Sequence, residues 1–454
     1  MTKGMSLSAL ARKVIVIVMV FAMIISVAAC AAKTDETAKL TDSAKASETT
    51  AETKGEPAKV TEIEFMTWAG ENEIQGMKPM VDALEKQYPD IKLKWSPVPD
   101  GYGDKLKIRL VSGDAPSLFN VGPGAPLKNY TNQGLIECLD NYYKEDKEFD
   151  LSKYPQGLVN TCMVDGKLMM LPKDNCPFVL YYNKKIFDDA GVAYPNDKWT
   201  WNDLKDTAKK LTKDGVYGFF TRLEPYAFEA TLFPRFDAPG LFNFTKADKI
   251  TIDDPKNMEV YNMLQDIYVK DKSAPKPADA VGTYTDLFAT GKLAMIADGT
   301  FVNPGISAKM KDEYAFEVLP MGANGKRPSF LFTSGFAVSA KTKTDKNQIW
   351  KAIKFLSFGE GNKMLASGGF GLPATAPAQY ADAFYTEDIK KRSRDGAVFN
   401  MTLEDQGIHN YGPNEEAIDP LYRNFLDTLC TSTKSPEEIV NAVKPNFEKA
   451  FKPW

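Results

Sequence analysis

Between residues 60 and 97 two runs of alternating polarity enclose a stretch of helical periodicity. That order limits the chain to a sheet with helices packed on its faces. Ile63, Phe65 and Thr67 alternate with Glu62, Glu64 and Met66, the period-2 pattern of a strand. Ile91, Leu93 and Trp95 alternate with Lys92, Lys94 and Ser96 in the same way. Between them Ile74, Met77, Val81, Leu84 and Tyr88 fall at helical spacing, and Pro89 ends the pattern. This is a strand-helix-strand unit, the element of an α/β sheet. The spacing predicts a second helix over 102–112, with Leu106, Ile108, Leu110 and Val111 apolar and Gly113 as its stop. Residues 118–121 read as a short buried strand. Thr200 followed by Asp203 reads as a capping box, and Leu204, Ala208 and Leu211 mark the face of the helix it starts. Ile349, Ile353 and Leu356 mark another helix. Ser435-Pro-Glu-Glu438 is a stronger start signal, with a cap, a proline at the first helical position and a glutamate at the third. Pro445 is expected to kink or end the helix that follows. Strands alternate with helices throughout, and no internal repeat is visible.

The body of the chain, 59–454, is too long for one ordinary core, so two lobes are the default. At 43% hydrophobic and 26% charged, the chain has the composition of a soluble globular protein. A net charge of -4 argues against nucleic acid or an anionic membrane surface as partner. Nothing calls for a metal or a cofactor. The single histidine, His409, would have to serve any histidine-based triad or zinc site, and in Gly407-Ile-His-Asn-Tyr411 it reads as a loop residue. Cys138, Cys162, Cys176 and Cys430 show no Cys-x-x-Cys spacing. Their even number permits disulfides, and their apolar contexts fit buried free thiols as well.

Residues 1–30 place the protein outside the cell. Lys3, Arg12 and Lys13 supply a basic segment, 14–27 is an almost unbroken apolar run, and Ala28-Ala29-Cys30 provides small residues and a cysteine. The run is short of the roughly 20 residues that a membrane span needs. The segment resembles the bacterial lipobox, in which the cysteine is diacylated and becomes the new N-terminus. Residues 1–29 are then the lipoprotein signal peptide; the alternative is an ordinary secretory signal cut after an Ala-x-Ala site, with Cys30 incidental. Residues 31–58 contain no aromatic side chain, and Leu40 is their one large apolar residue. Such a stretch cannot bury enough surface to offset its ordering entropy, and 30–58 reads as an acylated cysteine with a disordered tether.

Several segments resemble the extracellular solute-binding proteins of ABC importers, family 1, the group that includes the maltose-binding proteins. They are Tyr102-Gly-Asp-Lys-Leu with Ser112-Gly-Asp-Ala-Pro116, Val164-Asp-Gly-Lys-Leu-Met-Met-Leu-Pro172, Leu180-Tyr-Tyr-Asn-Lys-Lys-Ile-Phe187, Trp199-Thr-Trp-Asn-Asp-Leu204, Gly291-Lys-Leu-Ala-Met295 with Gly299-Thr-Phe301, and Ser334-Gly-Phe-Ala-Val-Ser339. Ser117 stands where the family usually has aspartate, and Phe301 where it has tryptophan. The match follows the family's order over nearly the whole body. It implies an α/β, two-lobe, periplasmic-binding-protein-like fold of type II, with a hinge of about three crossings near 173–177, 326–332 and 371–374. The lobes implied are 59–172 with 333–371, and 173–332 with 372–454. The function implied is a monomeric receptor that captures a sugar by hinge closure and delivers it to a membrane permease, with no reaction and no catalytic residue.

The candidate ligand residues combine rings for sugar faces with carboxylates and amides for hydroxyls. Trp68 and Glu71 follow the first strand, where an α/β sheet presents its crevice, and equally fit a packed strand end and helix N-terminal acids. Glu224 and Tyr226, in Leu223-Glu-Pro-Tyr226, resemble a cleft segment of the maltose-binding proteins. Asp174 and Asn175 sit beside the inferred hinge, and either could instead cap a turn. Phe301 stands at the family's stacking position. Tyr422 and Arg423 lie where the family places an aromatic residue and an arginine facing the ligand, and a helix-surface aromatic would look the same. The resemblance leaves open a receptor for a peptide, a polyamine or a polyol phosphate. Sixty Asp and Glu residues leave a glycosidase with paired carboxylates as the weaker alternative.

Overall fold

The computed structural model describes residues 60–452, apart from 225–227, 229–230, 243–247, 281–282, 311–312, 323–324, 326–328, 331–332, 376–382, 385, 394–405 and 408–413. Cys30 and the tether, Tyr226 and His409 lie outside the described residues. Residues 58–454 form one compact unit.

That unit is built on two sheets. The first takes β1 (Thr61–Thr67), β2 (Ile91–Pro97) and β3 (Leu118–Val121) from the start of the chain. The helix α1 (Glu71–Gln87) links β1 to β2, and α2 (Tyr102–Ser112) links β2 to β3. All three sequence-predicted strands and both helices of this region are therefore present. The left-handed Gly113, at φ 88°, ends α2, a conformation that needs no Cβ. β4 (Leu171–Pro172) closes the sheet through a strand from much later in the chain, β10 (Gly335–Val338), in the order β2-β1-β3-β10-β4. β1 runs parallel to β2 and to β3, whereas β10 is antiparallel to β3 and β4. Ile63, Phe65, Leu84, Leu106, Phe119, Leu168 and Phe336 are among its buried core residues.

The second sheet has the order β9-β6-β8-β7, from β6 (Phe178–Asn183), β7 (Phe220–Thr221), β8 (Met295–Gly299) and β9 (Tyr314–Val318). Its core takes in the helix Trp201–Leu211, started by the predicted capping box of Thr200 and Asp203. It also takes in α7 (Glu415–Thr431) and α8 (Pro436–Ala450) from the C-terminus. α8 is not ended by Pro445. That proline is exposed, so the carbonyl it leaves unbonded, on exposed Asn441, can face water, while Phe447 one half-turn on is anchored in the core.

The chain passes between the sheets three times: from β4 to β6, from β9 to β10, and from the helices Lys346–Ser357 and Glu360–Ser367, the first of which packs in the first core, to α7 in the second. The first passage carries β5 (Asp174–Asn175), which pairs antiparallel with β11 (Leu372–Pro373) of the last. All four described cysteines are free thiols. Among the described residues no helix is long and apolar enough to cross a membrane.

Candidate ligand-binding site

Strand directions bring the functional groups to two facing edges. In the first sheet Val121 pairs with Gly335, and Gly335 with Pro172, so the carboxyl ends of β1 and β3 lie on the same edge as the exit from β4. In the second, Thr221 pairs with Ala297 and Gly299 with Phe178, so the carboxyl ends of β7 and β8 lie beside the entry to β6. Residues 173–177 join these edges directly. In open α/β sheets ligands bind outside the carboxyl ends of the strands, and both sheets present those ends to the passage.

On the first bank Trp68 follows β1 half-buried, its ring edge-on to Tyr102 with centroids 5.1 Å apart. The Tyr102 hydroxyl donates to the Asn120 carbonyl at 2.7 Å, and Thr67 donates to the Asn120 side chain at 2.7 Å, so the end of β3 holds the end of β1. Glu71 opens α1 and is exposed. Glu73, in the same first turn, accepts from Lys173 at 2.9 Å, and Asp174 stands 3.6 Å from the same ammonium. Burial acts to lower the pKa of Lys173, but the two carboxylates outweigh it and hold the lysine charged. Burial raises that of Asp174 against the opposing pull of Lys173.

The second bank is a network around Arg222, the residue after β7. Its Nε donates to Asp298 at 3.1 and 3.3 Å, one terminal nitrogen donates to Glu224 at 3.3 Å, and the other donates to the Tyr284 hydroxyl at 2.6 Å. That hydroxyl in turn donates to Asp298 at 2.5 Å, and the backbone N–H of Gly299 donates to the other Asp298 oxygen at 2.7 Å. Asp298 is fully buried, and each of its oxygens is bonded, as a buried carboxylate requires. Burial, and then the charge of Asp298, push the Tyr284 pKa well up, which keeps its hydroxyl a neutral donor. The guanidinium lies 5.7 Å from the Tyr284 ring centre and 5.2 Å from that of Phe301. Phe301 folds back over the end of β8: a Cβ on Gly299 would stand 2.2 Å from its ring, so any larger residue there would displace the ring.

Beside this network is a cavity of about 240 Å³ lined by Phe220, Arg222, Glu224, Tyr284, Arg423 and Asp427, with Leu223, Pro277, Ala278 and Leu426. It has apolar walls and a charged rim. An apolar cavity of about 150 Å³ holds benzene, so this one has room for one six-membered ring.

The sequence candidates divide accordingly. Glu224 and Arg423 share the cavity, Phe301 adjoins it across Arg222, and Trp68 and Glu71 stand on the opposite bank. Tyr226 lies outside the described residues. Tyr422 does not face the crevice: it is 0% exposed, packed in the second core against Phe425 and Phe447. One position along a helix turns a side chain by about 100°, which sends Arg423 out where Tyr422 points in. Asp174 is engaged inside the passage, accepting from the Ser334 N–H at 3.3 Å. Asn175 is 0% exposed, and its side-chain amide finds no hydrogen-bond partner among the described residues. Both therefore belong to the passage and not to an open surface in this conformation. Sequence reasoning missed Arg222, Tyr284 and Asp298. The signal was an aspartate in the otherwise apolar strand Met-Ile-Ala-Asp-Gly, since a buried carboxylate demands partners.

The family model for bacterial extracellular solute-binding proteins matches residues 68–363. A galactooligosaccharide-binding protein of Bacillus subtilis is 26% identical over 357 residues, which cover 74% of this chain and 75% of that protein. An uncharacterised ABC transporter extracellular-binding protein of Pyrococcus horikoshii is 25% identical over 426 residues, covering 89% of this chain and 92% of that protein. Among solved structures, an ABC substrate-binding protein of Listeria monocytogenes in complex with cycloalternan superposes with a TM-score of 0.76 at 25% identity, over 86% of this chain and 98% of that one. Maltose-bound MalE3 of T. maritima superposes with a TM-score of 0.70 at 17% identity, over 86% of this chain and 99% of that one. The two sheets and the three passages are thus the two lobes and hinge of that architecture, and the chain belongs to the bacterial extracellular solute-binding protein family.

Proposed function

We propose that this protein is the carbohydrate receptor of an ABC importer, closing two lobes on a mono- or oligosaccharide and releasing it to the permease subunits in the membrane. The observation that carries this reading is the second bank: two rings, Tyr284 and Phe301, flank Arg222, with Glu224 and Asp298 fixed beside them. Rings serve the C–H faces of a sugar and fixed polar groups serve its hydroxyls. Trp68 and Glu71 would close from the other bank, and Arg423 would reach the far end. The names of the oligosaccharide-binding relatives support the same class. Closure is selective only if the ligand binds the closed state more tightly than the open one, which contacts from both banks provide.

In this reading the lobes are 59–172 with 333–371, and 173–332 with 372–454. The protein acts as a monomer and transforms nothing. Cys30 carries the lipid, and 31–58 holds the body off the outer face of a Gram-positive cell membrane, which keeps receptor and permease at high effective concentration. A thermal-shift screen over a carbohydrate panel tests the ligand class, because a ligand specific to the folded state raises the melting temperature. The reading fails if no saccharide shifts the transition while a peptide or polyamine does. Product appearing during the incubation would point to a glycosidase instead. Labelling cells with palmitate tests the anchor: label must enter the wild type and be lost in Cys30→Ala.

A further inference from the structure

An arginine in a binding crevice invites an anionic ligand, and here its surroundings argue the opposite. All three nitrogens of the Arg222 guanidinium are engaged, with Asp298, Glu224 and the Tyr284 hydroxyl. Two carboxylates therefore face one guanidinium. The same imbalance recurs around it. Arg423, on the cavity rim, bonds Asp419 at 2.6 Å, and Asp427 lines that cavity one turn further on. On the first bank, the buried Lys173 ammonium faces both Glu73 and Asp174, with exposed Glu71 nearby in sequence. Among the described residues each of these three cations is matched by a carboxylate, and the carboxylates named here outnumber them on both banks.

Resting on the carbohydrate reading above, we infer that the crevice selects uncharged saccharides and rejects acidic and phosphorylated ones, with Glu224 and Asp298 as the residues that set this selectivity. A hydroxyl can donate to a carboxylate and accept from an arginine, so a neutral sugar adds bonds to the network without disturbing it. A carboxylate or phosphate on the ligand has no such entry. It meets like charge at Glu224, and the guanidinium it could reach already faces two carboxylates, Glu224 and Asp298, so its charge is offset before the ligand arrives. Specificity then comes from repulsion built into the site as much as from attraction.

The test is calorimetric titration of the full chain in detergent with matched pairs: glucose and glucuronate, galactose and galacturonate, an oligosaccharide and its aldonate, together with glycerol 3-phosphate and inorganic phosphate. The neutral member of any pair that binds should bind on the order of tenfold tighter or more, since like-charge juxtaposition is costly. Glu224→Gln, which keeps shape and removes one charge, should narrow that ratio roughly threefold or more. An acidic sugar that binds as tightly as its neutral partner, or phosphate binding by itself, overturns the inference. So does an unchanged ratio in Glu224→Gln. If no saccharide of either charge binds and a peptide or polyamine does, the carbohydrate reading itself is what has failed.

Discussion

Asp298→Asn probes the Arg222 network without reference to any ligand. The substitution keeps the shape of a side chain that is 0% exposed and removes the charge bonded by Arg222, Tyr284 and the Gly299 N–H. The Arg222 side chain is 18% exposed, so most of the guanidinium would stay out of water with Glu224, at 3.3 Å and 29% exposed, as its remaining carboxylate. Removing one partner of a buried pair costs about 3–5 kcal/mol, and the surviving contact to Glu224 places the expectation near the lower end, about 3 kcal/mol. That is a change of roughly a hundredfold in the folding equilibrium, since about 1.4 kcal/mol is tenfold. Urea unfolding of the ligand-free protein reads it as a lower midpoint at unchanged slope. The pairwise part is isolated by adding Arg222→Met, because removing both charges together should cost less than the sum of the single losses by roughly 1 kcal/mol or more. A loss under about 1 kcal/mol for Asp298→Asn would put the pair among ordinary surface ion pairs and refute the argument. Additive single and double losses would refute it as well.

Three further outcomes follow from the same geometry. Phe301→Ala removes the ring beside Arg222 and should weaken saccharide binding by about 1 kcal/mol in calorimetry, the scale of an aromatic contact. Tyr422→Ala should lower stability by about 3–5 kcal/mol in urea unfolding, the cost of truncating a large core ring, while the folded fraction keeps its ligand affinity; a wild-type midpoint with weakened binding would return Tyr422 to the crevice. Glu64 accepts both terminal nitrogens of Arg109, and that bonding, with the Arg109 charge, holds its pKa below the ordinary 4.5. A depressed folded pKa gives stability that is present above 4.5 and lost as pH falls below it. Unfolding curves of wild type and Glu64→Gln should therefore differ at pH 7 and converge in acid.

The parts legible in the sequence are those where one local rule acts alone. Alternation along 62–67 and 91–96 marks strands because Ile63, Phe65, Ile91 and Leu93 are buried while Glu62, Lys92 and Lys94 are exposed, and Ser435 starts a helix because its own hydroxyl caps it. The two-residue strands Phe220–Thr221 and Asp174–Asn175 carry no period at all; they exist because a partner strand from far along the chain lies beside them. Tyr422 was within reach. Ile418, Tyr422, Phe425 and Leu429 recur at helical spacing and all are buried, so the stripe assigned Tyr422 to the core, while the family likeness drew it toward the crevice. The network is the harder case. Arg222 and Asp298 become neighbours only because β7 and β8 run parallel in register, and Tyr284 arrives on a separate helix. None of the three is marked by its immediate neighbours, except that an aspartate inside an apolar strand requires a buried partner. A charge in a strand that should be apolar is therefore the feature from which a search of such a sequence for its binding site can start.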